Sequence, residues 1–418
     1  MDISEEILKL LCKIHTGSEL PPPISFQRLS ERPDKSQKII LISHLKTDLF
    51  SEVRRVLEPK GRLFFNTKGW YLQNHSLLRK EGFKDIKTYR LIRKGNYLID
   101  LFQTITALNS TKDRIFHSSI FLAAMKVLPG IFFFSAGLEN TGIDNISMRI
   151  NHRSILTMIS HYGKRKPYRF LKTSRASMGN DYPRKEQFIL DWLQDFDTKI
   201  NLPEFQFYLN DVSTLSMKRC NGLIFSMSLE QIKYPSDEER SSIKKVRVAI
   251  ERLSRAPTPN KEKCQEFLEM LNSWPHAMRK EQFRDIESCD KESIVHGDLN
   301  PNNIITGKEI IYFLDWEHWH IGKCFENWFD FLIRTIYISL QGRHLNRTDY
   351  ILEQFRRLLL TPWIREETEI FFKHMEVRTS PNEGLRYSLF LFLINGIVKL
   401  EPIQMKDALE RIHLSPIH

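Results

Sequence analysis

The stretch Ser293-Ile-Val-His296-Gly297-Asp298-Leu-Asn-Pro-Asn-Asn303-Ile-Ile-Thr-Gly307, followed by Tyr312-Phe-Leu-Asp315-Trp316-Glu317, constrains the fold more than any other part of the chain. It sets a carboxylate and a carboxamide five residues apart and a second carboxylate twelve residues further on. The apolar pair Ile294-Val295 leads in. Ile304-Ile305 reads as a short strand, Thr306-Gly307-Lys308-Glu309 as a turn, and Ile310 to Leu314 as the returning strand. A hairpin of that size returns Asp315 to the neighbourhood of Asn303. Three hard oxygen donors then converge on one point, a set that suits Mg²⁺ when nucleotide phosphates supply further ligands. A loop-borne Asp in such a place can accept a hydroxyl proton while an Asn and a second Asp hold metal over the phosphates of ATP.

Protein kinases use that arrangement with Arg between the His and the Asp, where this chain has Gly297. H-G-D-x-x-x-x-N followed by D-W-E resembles the aminoglycoside phosphotransferase and choline kinase family of small-molecule kinases, over residues 136–400. The resemblance implies Asp298 as catalytic base, Asn303 and Asp315 as metal ligands, and His296 as structural support. It also implies ATP, or another nucleoside triphosphate, and Mg²⁺ as cofactors. Asp330, in Glu326-Asn-Trp-Phe-Asp-Phe-Leu, matches the Asp that braces the catalytic loop in that family, although the preceding Pro of its motif is missing.

The expected fold is an α/β module at the N-terminus joined to a protein-kinase-like α+β fold. Its divisions are residues 1–135, a β-rich small lobe over 136–221, and a helical large lobe over 222–418. Upstream of the motif, Ser154 to Ile159 and Tyr168 to Lys172 read as strands around a turn holding Gly163. Phe205 to Tyr208 and Leu215 to Arg219 read as a further pair. Between the pairs, Arg184 to Asp195 has helical apolar spacing through Phe188, Ile189 and Trp192. That order matches the small lobe of the phosphotransferase family, where a strand Lys grips the α- and β-phosphates and a helix Glu orients it. Lys172 and Glu186 are the matching positions, with Lys166 and Lys185 as competitors. The family's small-residue phosphate turn falls at Asn151-His152-Arg153, which has no glycine; Arg153 is the residue there able to assist phosphate binding. Cys220-Asn221-Gly222 takes the hinge position, with Met217 to Cys220 lining the adenine slot.

Downstream the chain reads as helices: Pro235 to Arg255 with helical spacing through Ile243, Val246, Val248, Ile250 and Leu253, then Lys261 to Ser273, Ala277 to Ile286, Asn327 to Leu340, Tyr350 to Leu360, Glu366 to Arg378 and Glu383 to Leu400. His318 and His320, among Trp316, Trp319 and Trp328, read as packing and substrate-facing groups rather than a metal pair.

The first 135 residues stand outside the kinase pattern. Lys38 to His44 reads as a buried strand, Leu49 to Leu57 as a helix, Glu58-Pro-Lys-Gly61 as a turn and Arg62 to Phe65 as a strand. A helix over His75 to Glu81 and a strand over Gly82 to Ile86 follow. The run E-V-R-R-V-L-E-P-K-G-R-L followed by E-G-F resembles the carboxyl-terminal half of class I methyltransferases. The earlier half has no counterpart: 37 residues precede the first strand, with Gly17 as their only glycine. A cofactor site at a strand edge needs a glycine-rich loop for close backbone approach, so this segment reads as a truncated module without methyl transfer.

The net charge of +11 favours anionic company, such as nucleotide, phosphorylated intermediates or an anionic membrane face. No basic stripe interleaved with aromatics points to nucleic acid. Five scattered cysteines without a C-x-x-C pair argue against a disulfide framework or zinc site. Met1-Asp-Ile-Ser-Glu-Glu lacks the basic start and apolar core of a signal peptide, so the expected location is the cytoplasm. Ile120 to Phe134 and Leu385 to Val398 fall short of the ~20 uninterrupted apolar residues of a membrane span and read as buried helices, which leaves peripheral membrane contact open.

The leading expectation is thus an ATP- and Mg²⁺-dependent transferase onto the hydroxyl of a small molecule: a sugar, a glycan intermediate or a natural product. Its rivals are a regulatory or scaffolding pseudokinase that binds nucleotide or a partner without transfer, and an active methyltransferase with an appended kinase.

Overall fold

The computed structural model describes residues 7, 8, 10, 11, 14, 32–34, 37–42, 50–69, 71–92, 97–100, 130–137, 145–151, 154–161, 167–175, 182–195, 201–209, 213–260, 262, 291–308, 310–340 and 361–394. The chain divides into two compact units. The first comprises Met1–Pro183 with Phe205–Arg219, the second Arg184–Glu204 with Cys220–His418.

The first unit is built on one ten-stranded sheet. Its strands are β1 (Gln37–Ile42), β2 (Leu57–Gly69), β3 (Asp85–Ile92), β4 (Tyr97–Asp100), β5 (Gly130–Gly137), β6 (Asn145–Ile150), β7 (Ser154–Ser160), β8 (Arg169–Ser174), β9 (Phe205–Leu209) and β10 (Ser213–Lys218). They lie in the order β1-β2-β5-β3-β4-β6-β7-β8-β10-β9. Only β1 and β2 pair in parallel; every other neighbouring pair is antiparallel. Helices α1 (Phe50–Val56) and α2 (Tyr71–Lys80) connect β1 to β2 and β2 to β3. Residue 135 lies inside β5, and the β4–β6 pair carries the sheet on into β6 to β10 without a break.

Two local readings change. The run ending at Phe134 is strand from Gly130 onward, not helix; residues 120–129 lie outside the described residues. Its apolarity is continuous because both faces of β5 are buried. Phe133 joins the cluster of Phe64, Tyr89, Ile146, Met148, Ile150 and Ile155, against which Ile7, Leu8, Leu10 and Leu11 pack. On the opposite face Phe134 stacks on Phe65 with ring centroids 4.8 Å apart. A strand buried on both sides loses its two-residue alternation, and periodicity then cannot separate it from a buried helix. The turn expected at Glu58–Gly61 lies within β2 instead. Gln37 pairs with Leu57 and Ile39 with Arg62, so the Pro59–Gly61 segment is accommodated as a bulge. Arg62 then reaches across the sheet, donating from Nη1 to Asp85 Oδ2 at 2.8 Å and from Nε to Ser135 Oγ at 2.9 Å, a buried pair whose charges are satisfied.

The second unit is mainly helical, with α3 (Tyr182–Gln194) entering it at Arg184. It contains α4 (Leu229–Lys233), α5 (Asp237–Arg255), α6 (Glu326–Leu340), α7 (Pro362–Met375) and α8 (Pro381–Ile394). Ser236 caps α5 in a reciprocal box with Glu239, and Ile243, Val246, Ile250 and Leu253 form its buried stripe. Helix α6 is buried around most of its circumference, which is why it reads as apolar throughout. Short strands complete the unit: β11 (Leu223–Ile224), β13 (Ile304–Thr306) and β14 (Ile311–Phe313) in one sheet, and β12 (Glu292–Val295) against β15 (His320–Lys323). The helices expected over 261–273, 277–286 and 350–360 lie outside the described residues, apart from position 262. Among the described residues no helix is long and apolar enough to cross a membrane.

Candidate active site

The motif residues sit on the connection from β12 to β14. After Val295 the chain turns at Gly297, whose φ is +76°. A Cβ added there would lie 2.2 Å from the carbonyl oxygen of His318, so the close approach of two backbones requires glycine and leaves no room for the Arg of protein kinases. Asn300 then caps a single 3₁₀ turn, Pro301–Asn303, with its side chain accepting from Asn302 N at 2.9 Å and Pro301 at the first helical position. That turn delivers Asn303 to the start of β13.

The hairpin forms as the sequence implies. Ile304 pairs with Phe313 and Ile305 with Tyr312. One step beyond, Leu314 N donates to Asn303 O at 2.8 Å, so Leu314 stands opposite Asn303 and Asp315 is the next residue along. Asp315 has left-handed backbone, φ 67° and ψ 62°. Asp tolerates that region better than most residues, and such outliers persist where the surroundings hold them. One restraint is Glu186 of α3, which is fully buried and accepts from Trp316 N at 3.1 Å. Trp319 Nε1 fixes the same helix by donating to Lys185 O at 2.9 Å.

Asn303 Nδ2 donates to the backbone oxygen of Asp298 at 2.9 Å and to its Oδ2 at 3.1 Å. With the nitrogen committed to Asp298, Oδ1 is the atom of the amide left for the role of acceptor or ligand. The other carboxylate oxygen of Asp298 accepts from Arg334 Nη1 at 2.5 Å. Burial holds the Asp298 carboxyl above the ordinary carboxylate range, with Arg334 pulling against that rise and Asp315 and Asp330 adding to it.

His296 ties the two halves of the motif together. Its Nε2 donates to Leu314 O at 3.0 Å and its Nδ1 accepts from Asp298 N at 3.3 Å, which fixes one tautomer. The ring is wholly buried beside Trp316, and burial pushes its pKa down to about 4, so it is neutral at pH 7. Asn327 of α6 accepts from His296 N at 2.9 Å and donates to Ile294 O at 2.7 Å. Asp330 Oδ2 accepts from Leu299 N at 2.7 Å.

Neither Asn327 nor Arg334 stood out in the sequence. The one signal available was the i,i+4 spacing of Asp330 and Arg334, which places an acid and a base on one face of a helix. His318 Nε2 lies 3.3 Å from Glu317, and His320 Nε2 lies 3.3 Å from Glu326.

Lys172 and Met217 belong to the first unit. Lys172 on β8 is buried and pairs with Leu156 of β7 and Leu215 of β10; Met217 pairs with Phe170. The alternation of strands puts Lys172, Phe170, Leu215 and Met217 on one face of the sheet. Cys220 is a half-buried thiol of the second unit, pushed up to about 11 by burial. Arg153 and Lys166 lie outside the described residues.

Among the described residues no three His, Cys, Asp or Glu side chains gather as a metal centre. A cation at the motif would draw on Asn303 Oδ1 and the Asp315 carboxylate, with other ligands supplied from elsewhere. Hard oxygen donors of this kind fit Mg²⁺, which retains waters and phosphate oxygens rather than seeking a full protein cage.

No protein-family model and no curated protein matches the sequence. Solved structures similar to the chain include the streptomycin–ATP complex of APH(2″)-IIa, at 14% identity and TM-score 0.38 over 65% of this chain and 92% of that one. A second is an amicoumacin kinase bound to AMP-PNP, Ca²⁺ and its antibiotic, at 9% identity and TM-score 0.39 over 64% and 87%. A third is a choline kinase from Cryptosporidium parvum Iowa II, at 11% identity and TM-score 0.39 over 66% and 89%. These neighbours are small-molecule kinases.

Proposed function

We propose that this chain is a nucleoside-triphosphate-dependent phosphotransferase with a protein-kinase-like core, acting on a hydroxyl of a small molecule such as a sugar, a glycan intermediate or a natural product. One observation carries the reading. The Asn303–Leu314 backbone bond sets the left-handed Asp315 one residue beyond the strand partner of Asn303, while the carboxamide of Asn303 holds the carboxylate of Asp298.

In this reading Asp298 is the general base. Each of its carboxylate oxygens has one fixed donor, Arg334 or Asn303, and lone pairs remain for the acceptor hydroxyl. Asp298 orients that hydroxyl and accepts its proton as the oxygen attacks the terminal phosphorus and the bond to the bridging oxygen breaks, releasing the nucleoside diphosphate. Asn303 and Asp315 are the residues assigned to Mg²⁺, which when bound neutralises charge on the phosphates. Glu186 braces the segment carrying Asp315 through the Trp316 amide. By the resemblance, Lys172 is assigned to the nucleotide phosphates. The rate gain comes from positioning and charge rather than from a covalent intermediate. The alternation β1-α1-β2-α2-β3 is compatible with a vestigial methyltransferase segment, to which we assign no transfer chemistry.

The test is transfer of the γ-phosphoryl group of ATP, with Mg²⁺, to a panel of hydroxylated acceptors by the parent chain and by Asp298→Asn. Turnover should fall by ~10²–10⁴-fold with nucleotide affinity little changed. Nucleotide binding without turnover in the parent would establish the pseudokinase instead, and equal turnover by Asp298→Asn would defeat the assignment of the base.

A further inference from the structure

Helix α6 holds the loop of the proposed base by three consecutive residues. Arg334 Nη2 donates to Gly297 O at 2.8 Å and Nη1 to Asp298 Oδ1 at 2.5 Å. Its Nε donates to Asp330 Oδ1 at 2.5 Å, and the other oxygen of Asp330 accepts from Leu299 N at 2.7 Å. A backbone carbonyl, a side-chain carboxylate and a backbone amide of successive residues are thus fixed by two side chains one helical turn apart. Only a planar fork can make this set of bonds at once: three guanidinium nitrogens serve three different acceptors. The guanidinium is largely buried and lies over the Phe392 ring with its Cζ 5.8 Å from the centroid, so its own position is set by α8. Burial lowers its pKa, but Asp330 and Asp298 outweigh that and raise it, so Arg334 is a fixed cation and no proton carrier.

Asp298 is therefore restrained from both ends, Oδ1 by Arg334 and Oδ2 by Asn303. A carboxylate held so cannot rotate about χ2, and the left-handed Gly297 peptide beside it cannot flip without breaking the Nη2 bond.

We propose that Arg334 is a positioning residue for the phosphoryl-transfer step, holding the Asp298 carboxylate and the Gly297–Asp298 peptide in one orientation through its guanidinium fork. The proposal rests on the reading of Asp298 as the base. Arg334 touches neither reacting atom; it acts through Asp298. Loss of the fork should let the carboxylate sample unproductive rotamers, and misplacement on the order of 1 Å costs about 10²-fold in rate.

The experiment uses the full chain and ATP hydrolysis with Mg²⁺, water serving as acceptor, beside hydrogen exchange of the peptide spanning 296–303. Arg334→Met keeps the stem against Phe392 and should lower kcat ~10–10²-fold while KM for ATP stays within about twofold, the pattern of an interaction that matters in the transition state and not in binding. Arg334→Lys should recover only part of the loss, because an ammonium cannot span the same three acceptors. Guanidinium ion added to Arg334→Ala should restore turnover in a saturable manner. On an Asp298→Asn background, Arg334→Met should cost little more, since the two residues act as one unit. Exchange at the Leu299 amide should speed up in every Arg334 variant.

Unchanged kcat in Arg334→Met, with kcat lost in Asp298→Asn, would overturn the proposal and leave the base in place. A loss that follows the melting temperature and is not rescued by guanidinium would reduce Arg334 to a structural residue. Equal turnover by Asp298→Asn would remove the base, and the positioning role with it. Unchanged exchange at Leu299 would overturn the fork independently of any turnover.

Discussion

Replacing Gly297 by Ala tests the geometry of the loop with a single methyl group. Gly297 is left-handed at φ +76°, where an L-residue costs about 1–2 kcal/mol. The new Cβ would lie 2.2 Å from His318 O and 2.9 Å from His318 C, both backbone atoms that cannot swing aside. To regain ordinary contact the loop and the segment entering β15 must part by about 1 Å, and forced repacking of that kind adds about 1–3 kcal/mol. The sum, about 2–5 kcal/mol, falls on the second unit, which spans roughly 200 residues. At about 2–4 °C per kcal/mol for a body of that size, the melting temperature should drop by roughly 4–20 °C. Because the displaced peptide carries Asp298, turnover measured well below the transition should fall ~10²-fold as well. Thermal denaturation followed by circular dichroism and ATP turnover are the assays. Gly307→Ala is the control: its nearest atom is 3.3 Å away and its backbone is not left-handed, so the cost there should stay under about 1 kcal/mol. If Gly297→Ala melts within about a degree of the parent and turns over ATP at the parent rate, the two backbones do not approach as described.

How much of this was legible follows from the range of the interactions involved. The hairpin, and the return of Asp315 one residue past the partner of Asn303, depend on contacts within about twenty residues and left their mark in spacing and residue type; the Asn300 cap with Pro301 behind it is equally local but was not read. Gly297 was visible as the middle residue of the H-G-D motif and as a departure from the protein-kinase pattern; its physical reason, the His318 carbonyl, lies beyond the hairpin. Arg334 acts on Asp298 from 36 residues away, and nothing in local pattern marks a helix Arg as one that turns inward. Strand β5 was hidden for a different reason. Phe132, Phe133 and Phe134 are each buried, so the alternation that betrays a strand is absent, and only the Pro129-Gly130 break and the aromatic content spoke against helix. The pairing of β4 with β6, which joins the upstream strands to the rest of the sheet, is a tertiary choice with no sequence signal of its own.

Further expectations concern single groups. Asp315→Asn keeps a residue that tolerates the left-handed backbone, so the fold should survive while Mg²⁺-dependent turnover is largely lost; normal Mg²⁺ dependence would remove Asp315 from the metal assignment. Lys172→Ala should raise KM for ATP about 10–10²-fold, the scale of a charge-assisted contact to phosphate, and loss of nucleotide binding in Lys166→Ala instead would relocate the phosphate lysine. Deleting residues 1–135 removes β1 to β4 and most of β5, exposing the edge of β6, so the remainder should aggregate or unfold; a soluble, cooperatively folded 136–418 fragment would contradict the continuity of the sheet. His296 should make stability depend on pH. Burial lowers its pKa from 6.5 to about 4, so between those values the unfolded chain binds a proton that the folded chain does not. Stability from this group is therefore complete above about pH 6.5 and falls as the pH drops toward 4, by at most about 3 kcal/mol. Protonation also removes the Nδ1 acceptor of the Asp298 amide, so the loop should loosen in the same window. Asp298 opposes the trend, because a carboxyl with a raised pKa favours the folded state as pH falls. The contribution of His296 is read by difference: melting temperatures of the parent and of His296→Asn, measured from pH 4 to 7, should converge at the acid end. Curves that stay parallel across that range would show that the imidazole does not titrate as its burial requires.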